Sequence, residues 1–277
     1  MSDAVNANPG SDLSTRFAAG VVMIAIACVA IWSGGWWFRG LLAIGAAVMM
    51  VEWGDMNRAP RLWSWIGAAL VVLPTLILPE LLYPAADDNP AVLDSLLFGK
   101  AWIGFAAILG IAIVYAALSR RPSLGWGFIY VCAPAFALAL LDWAWFELVF
   151  WLMLVTWSTD IFAYFAGRAI GGPKLAPRVS PNKTWAGLIG GMAGAAVIGA
   201  LAAWLLDLGP SYYVVGAPLA LLAQLGDLYE SWVKRRAGVK DSGSLIPGHG
   251  GVLDRVDGLL PVALATFLYL VGSLSLS

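Results

Sequence analysis

The chain alternates between nine long apolar runs and short polar interruptions. The runs cover 17–33, 36–53, 62–79, 101–118, 123–141, 143–166, 185–206, 211–233 and 256–275. A membrane-spanning helix needs about 20 predominantly apolar residues, so each run predicts one spanning helix. Ser33-Gly34-Gly35 leaves only a tight turn between the first two. Pro74 and Pro134 fall inside apolar runs and predict kinks, which spanning helices tolerate. The expected fold class is all-α: a polytopic integral membrane protein with about nine transmembrane helices. No linker, internal repeat or low-complexity tract divides it. Residues 1–277 are therefore expected to form a single domain, with spanning helices in 1–141 and the chemistry-bearing helices and loops in 142–277.

Composition supports this pattern. The chain is 61% hydrophobic and 12% charged, whereas a soluble domain carries about a quarter charged residues. A water-soluble enzyme is excluded. Several of the fifteen tryptophans, among them Trp36, Trp37, Trp63, Trp65, Trp143 and Trp145, fall near span ends, as an interfacial aromatic belt requires. Cys28 and Cys132 sit in separate apolar runs and read as buried thiols instead of a disulfide. The polar start, Met1 to Thr15, lacks a basic stretch, so the first run is expected to be a retained anchor.

Nine spans place fourteen of the sixteen Lys and Arg residues on one side, leaving only Arg39 and Lys100 on the other. The positive-inside rule then turns the basic loops toward the cytoplasm. Merging the first two spans would move only Arg16.

The remaining polar residues concentrate in two places. From Gln224 to Asp257 the chain holds five acids, five basic residues and the only histidine, His249. Polar groups at the edge of hydrocarbon are costly to keep without a function. If the eighth run stays helical to about Val233, Gln224, Asp227, Ser231 and Lys234 share one face, at spacings of three, four and three. Asp241-Ser242-Gly243 and Pro247-Gly248-His249-Gly250-Gly251 follow, too glycine-rich for helix; their backbone N–H groups could form an anion nest. Asp254 and Asp257 stand at the start of the last run. Two separated carboxylate sites, a basic cluster and a glycine loop point together to a magnesium-bound polyphosphate. The second concentration joins the sixth and seventh runs: Asp160 in an apolar stretch, then Arg168, Lys174, Arg178, Ser180 and Lys183. Beyond it, Gly187, Gly190, Gly191 and Gly194 line one side of a predicted helix, a pattern that favours close packing.

These residues carry a resemblance. Ser231-x-Val233-Lys234-Arg235, followed after four residues by Lys240-Asp241-x-Gly243-x-x-Ile246-Pro247-x-His249-Gly250-Gly251-Val252-x-Asp254-Arg255-Val256-Asp257, resembles the signature of the phosphatidate cytidylyltransferases, or CDP-diacylglycerol synthases. Asp160-x-x-Ala163-Tyr164-x-x-Gly167-Arg168 and Ser180-Pro181-x-Lys183-Thr184 are similar to the same family. The motif-bearing match covers roughly the last 120 residues. One departure is Ala186, where many members have Glu. The resemblance implies transfer of CMP from CTP to phosphatidic acid, giving CDP-diacylglycerol and pyrophosphate. It also implies Mg²⁺ on Asp227 and Asp254, with Asp257 a weaker third candidate. Lys183, Arg168, Lys234, Arg235 and Lys240 would hold the phosphates of CTP and lipid, with hydroxyl contacts from Ser231 and Ser180. Of these, Asp227, Asp254, Lys234 and Lys183 are the expected catalytic set. Asp160, Arg168, Ser180, Ser231, Arg235, Lys240, Asp241, His249 and Asp257 are the expected substrate contacts. The expected setting is the bacterial inner (plasma) membrane, with the site facing the cytoplasm and no nucleic-acid partner. A homodimer is left open.

Simpler readings stand beside these. Asp254 could cap the last helix, His249 could belong to a plain turn, and Asp160 could pair with Arg168 or Lys183. Arg178 and Arg236 read as residues facing anionic lipid heads. Glu230 lies close to the Asp227 face and reads as a supporting partner. An ion-coupled transporter is a different class that also carries intramembrane acids, but here the acids and bases gather on one membrane face. Another CTP-using lipid enzyme is a nearer alternative. A CDP-alcohol phosphotransferase is disfavoured because its D-G-x-x-A-R pattern is absent.

Overall fold

The computed structural model describes residues 9–82, 90–246 and 250–274, without the side chains of 9–19, 90–99, 144 and 273–274. His249 lies outside the described residues. Each predicted apolar run is helical over most of its described length, in α1 (Pro9–Ser33), α2 (Gly35–Met56), α3 (Arg61–Val72), α4 (Leu78–Leu82), α5 (Pro90–Ser119), α6 (Pro122–Ala144), α7 (Phe146–Ala169), α8 (Trp185–Leu205), α9 (Gly216–Ala237), α10 (Leu253–Val256) and α11 (Leu259–Leu274). The run expected from 211 opens instead with a 3-10 turn, Pro210–Tyr213, and the last run is interrupted between α10 and α11. A π-helical turn at Leu73–Ile77 joins α3 to α4, and Pro74 lies in it. Pro134 sits inside α6, whose helical assignment continues through it.

Among the described residues, five helical stretches are long and apolar enough to cross a membrane: Arg61–Leu82, Lys100–Ser119, Pro122–Trp143, Phe146–Ala169 and Trp185–Leu205. The first and last runs are shorter apolar helices, Gly20–Ser33 and Leu259–Gly272. α2 and α9 carry ionisable residues within their apolar stretches, Arg39 and Glu52 in one, Asp227 and Glu230 in the other. Those four helices set the expected nine spans apart from the five that qualify by length and composition.

α6 is the hub. It packs against α2, α5, α7 and α11, and most of its length is buried. A helix apolar all round belongs in such a position. Phe128 and Phe136 are fully buried there, with Phe136 edge-on to Phe105 of α5. Lipid tails are as apolar as the core, so close packing must hold the helices together. The glycine stripe of α8 shows how. A Cβ on Gly191 would lie 2.9 Å from the Thr159 carbonyl oxygen of α7, and one on Gly187 would lie 3.0 Å from that of Ala163.

The expected loop between α7 and α8 is a small hairpin. β1 (Lys174–Ala176) pairs antiparallel with β2 (Ser180–Thr184), with Lys174 opposite Thr184. Thr184 then caps α8, its hydroxyl oxygen accepting the Gly187 N–H at 3.0 Å. This hairpin is the one sheet among the described residues of an otherwise helical molecule.

Candidate active site

α9 brings the predicted row into being. It runs four residues beyond the expected end at Val233 and stops at Gly238, whose φ of 77° supplies the left-handed cap. Along the row, Ser231 Oγ donates to Asp227 Oδ1 at 3.3 Å. Lys183 reaches in from β2, placing its ammonium 2.9 Å from Gln224 Oε1 and 2.5 Å from Asp227 Oδ2. Lys183 is mostly buried, whereas one third of the Asp227 side chain is exposed, at 33%. Asp160 of α7 is exposed and close enough to feel the charges of Asp227, Lys183 and Arg255. Asp257 also interacts electrostatically with Asp227, and its Oδ1 accepts the Gly258 N–H at 2.8 Å.

One turn further on lies a second, drier cluster. Lys234 Nζ sits 2.6 Å from Glu230 Oε2 and 2.6 Å from Asp254 Oδ1, with side-chain exposures of 12%, 0% and 4% respectively. The other oxygen of Asp254 accepts the Ser242 N–H at 2.9 Å and the Gly251 N–H at 2.8 Å. Burial opposes ionisation of Asp254. The Lys234 ammonium and these two N–H groups outweigh it and hold the carboxyl below the usual aspartate range. Burial likewise opposes charge on Lys234, yet its two carboxylate partners push the ammonium above the ordinary lysine value.

The residue missing from the sequence reading is Glu52. It lies on α2, far in sequence from the roughly 120 C-terminal residues that carry the motifs, and it is 6% exposed. Oε1 accepts the Val252 N–H at 2.8 Å; Oε2 accepts the Leu253 N–H at 2.9 Å and the Ser242 hydroxyl at 3.2 Å. Helix N-termini leave N–H groups without intrahelical partners, and at α10 a residue about 200 positions away in sequence satisfies them. The glycines of the loop make room for it. A Cβ on Gly243 would come within 2.8 Å of Glu52 Oε1, and one on Gly251 within 2.6 Å. The anion nest expected here is therefore partly filled from within. The N–H groups of Ser242, Gly251, Val252 and Leu253 already bind the carboxylates of Asp254 and Glu52. One signal for Glu52 was present in the sequence: a carboxylate inside an apolar run.

The other expected contacts distribute unevenly. Arg168 is exposed and donates to its own helix neighbour, the Tyr164 hydroxyl, at 2.7 Å. Arg235 is exposed and spans to the Val179 carbonyl at 3.4 Å, tying the hairpin turn to α9. Ser180 is half-buried on β2. Lys240 and Asp241 are exposed on the loop after α9. Ala186 lies in the first turn of α8, and no acid precedes it in that turn.

Among the described residues no three carboxylate, histidine or cysteine side chains form a ready metal cluster. Magnesium uses one or two carboxylates and takes its remaining ligands from water and phosphate. Asp227 suits that role, being part-exposed with oxygen lone pairs to spare. Asp254 would have to release Lys234 from Oδ1, because Oδ2 is committed to the loop.

A helical, membrane-type scaffold thus presents paired lysines and carboxylates beside a glycine loop, an arrangement compatible with an integral-membrane enzyme acting on phosphates. The chain belongs to the cytidylyltransferase family, whose sequence model matches residues 14–272. It is 42% identical to the phosphatidate cytidylyltransferase of Brucella abortus biovar 1 (strain 9-941), over 95% of this chain and 94% of the relative. It is 30% identical to the phosphatidate cytidylyltransferase of Rickettsia bellii (strain RML369-C), over 96% of this chain and 93% of the relative.

Proposed function

We propose that the protein is a phosphatidate cytidylyltransferase, a nucleotidyltransferase of phospholipid biosynthesis that joins CTP and phosphatidic acid. Family membership over nearly the whole chain is the observation that carries this reading. An oxygen of the lipid phosphate attacks the α-phosphorus of CTP and forms a new P–O bond. The α–β anhydride bond breaks, and pyrophosphate leaves with its electron pair. A phosphate monoester is already anionic near neutral pH, so positioning and charge neutralisation are the main tasks. Lys183, held between Gln224 and Asp227, presents an ammonium at the wetter of the two clusters. Lys234 keeps the Asp254 loop closed beside it. Asp227 would hold Mg²⁺, joined by Asp254 once Lys234 is released from its Oδ1, and the ion would neutralise phosphate charge and orient the nucleotide.

The same reading takes all nine helical runs across the bacterial inner membrane. The site faces the cytoplasm, where fourteen of sixteen basic residues gather and CTP is available. The deciding experiment incubates purified protein with radiolabelled CTP, Mg²⁺ and a panel of lipid phosphates and lipid alcohols. Labelled lipid forms with phosphatidic acid, pyrophosphate appears in equal amount, and chelation of Mg²⁺ stops both. Label on a lipid alcohol, or none on phosphatidic acid, overturns the reading.

A further inference from the structure

A cavity of about 690 Å³ opens beside the Glu52 loop and is separate from the lysine clusters. One wall is a single face of α2, with Gly40, Ala43 and Ala47 among its lining residues. Val72 and Leu76, at the π-helical turn after α3, form the facing wall. The loop from Ser242 to Leu245 closes the base. The cavity has one polar end, at Glu52, Asp55 and Ser242, and is apolar from there to Gly40. Ile44 is 67% exposed on its rim and Leu245 is 61% exposed at its base, so the long side is open.

We propose that this groove takes one fatty acyl chain of the glycerolipid whose phosphate reacts at the site. The proposal rests on the activity assigned above. Three observations select this occupant. Glu52 and Gly40 are twelve residues apart on one helix, or about 18 Å at 1.5 Å per residue. One leaflet offers about 15 Å of hydrocarbon, so the groove is as deep as an acyl chain in that leaflet. It also runs from a polar end to hydrocarbon; that end is acidic, at Glu52 and Asp55, so it suits the uncharged ester linkage of the chain and leaves the phosphate to the lysines beyond the loop. Finally, it begins on the loop that belongs to the site. The N–H of Ser242 binds Asp254, while its hydroxyl binds Glu52 in the groove's base. A chain lying along α2 would therefore start beside the loop that Asp254 organises.

The test fills the deep end. Gly40 has nothing within 4 Å of where a Cβ would stand, so Gly40→Phe adds bulk without a clash at its first atom. Ile44→Trp, one turn nearer the site, is a second blocker at an exposed position. Each variant is assayed with long-chain dioleoyl phosphatidate and with dioctanoyl phosphatidate, whose chains stop short of the deep end. The expected result is a KM for the dioleoyl lipid raised by about tenfold or more, the scale of a methylene-sized misfit in an apolar pocket. The KM for dioctanoyl lipid, the KM for CTP and kcat stay at wild-type values, which also shows that the variants fold. Equal responses to both lipids, or none, overturn the groove assignment. If equal responses come with a changed oligomeric state by size exclusion, a second copy covers this face instead. A wild type that labels neither lipid overturns the activity itself and the groove with it.

Discussion

The two lysine–aspartate pairs look alike in sequence and differ in kind in the structure. Lys183–Asp227 joins a hairpin to α9, has one third of its carboxylate exposed, and shares its lysine with a neutral amide, Gln224. Lys234–Asp254 joins α9 to the glycine loop, and its lysine also faces the fully buried Glu230. Water can reach the first pair and replace a lost partner there. The second pair is locked, because losing either charge strands another in a dry place. Under the proposed reaction the first pair is the one free to exchange partners with ligand, while the second holds the loop.

Replacing each lysine should separate these roles. Lys234→Met leaves Glu230 and Asp254 facing each other without their cation, and breaking a buried pair in this way costs about 3–5 kcal/mol. The expected outcome is a clear fall in the thermal midpoint of the purified protein, with activity lost alongside it. Lys183→Met leaves Asp227 free to hydrate, so the midpoint should hold. Turnover should fall by the value of a charge-assisted contact, about 1.5–3 kcal/mol or roughly ten- to a hundredfold. Arg178→Ala, at an exposed hairpin position, serves as the charge control and should change neither. If Lys183→Met lowers the midpoint as much as Lys234→Met does, the two pairs are equivalent and the distinction fails.

The part of this arrangement that was legible in sequence is the part that local geometry dictates. Gln224, Asp227, Ser231 and Lys234 meet along α9 because three- and four-residue spacings stack on any helix. The close approach of α7 and α8 was likewise written in the glycine stripe. The hairpin was not legible: its strands are only three and five residues long, and the second is polar and contains Pro181. Nor could spacing reveal that Lys183 and Asp227, 44 positions apart in sequence, would touch. Resemblance brought those two into one site, and the fold shows their contact. Glu52 was the hardest case. No motif surrounds it, and its partners lie between 190 and 201 residues away. The reasoning that flagged Asp160 as an acid in an apolar run applied equally to Glu52 and would have found it.

Glu52 also offers the finest test of the locked region, because one atom can be changed while shape is kept. As a carboxylate it accepts three hydrogen bonds on two oxygens. Glu52→Gln retains one acceptor oxygen and puts an amide NH₂ in place of the other, which cannot accept from a backbone N–H. Either Val252 or Leu253 then loses its partner, at a cost of about 1–3 kcal/mol for a buried donor left unsatisfied. The loss falls on the start of α10 and on Ser242, while α9 and the Lys183–Asp227 pair keep their contacts. Hydrogen exchange should therefore quicken at residues 250–256 and remain unchanged along α9, with a smaller fall in the thermal midpoint than Lys234→Met produces. If exchange accelerates equally in both regions, the loop and α9 open as one unit. If it accelerates in neither, Glu52 is dispensable to the loop that its three hydrogen bonds join to α2.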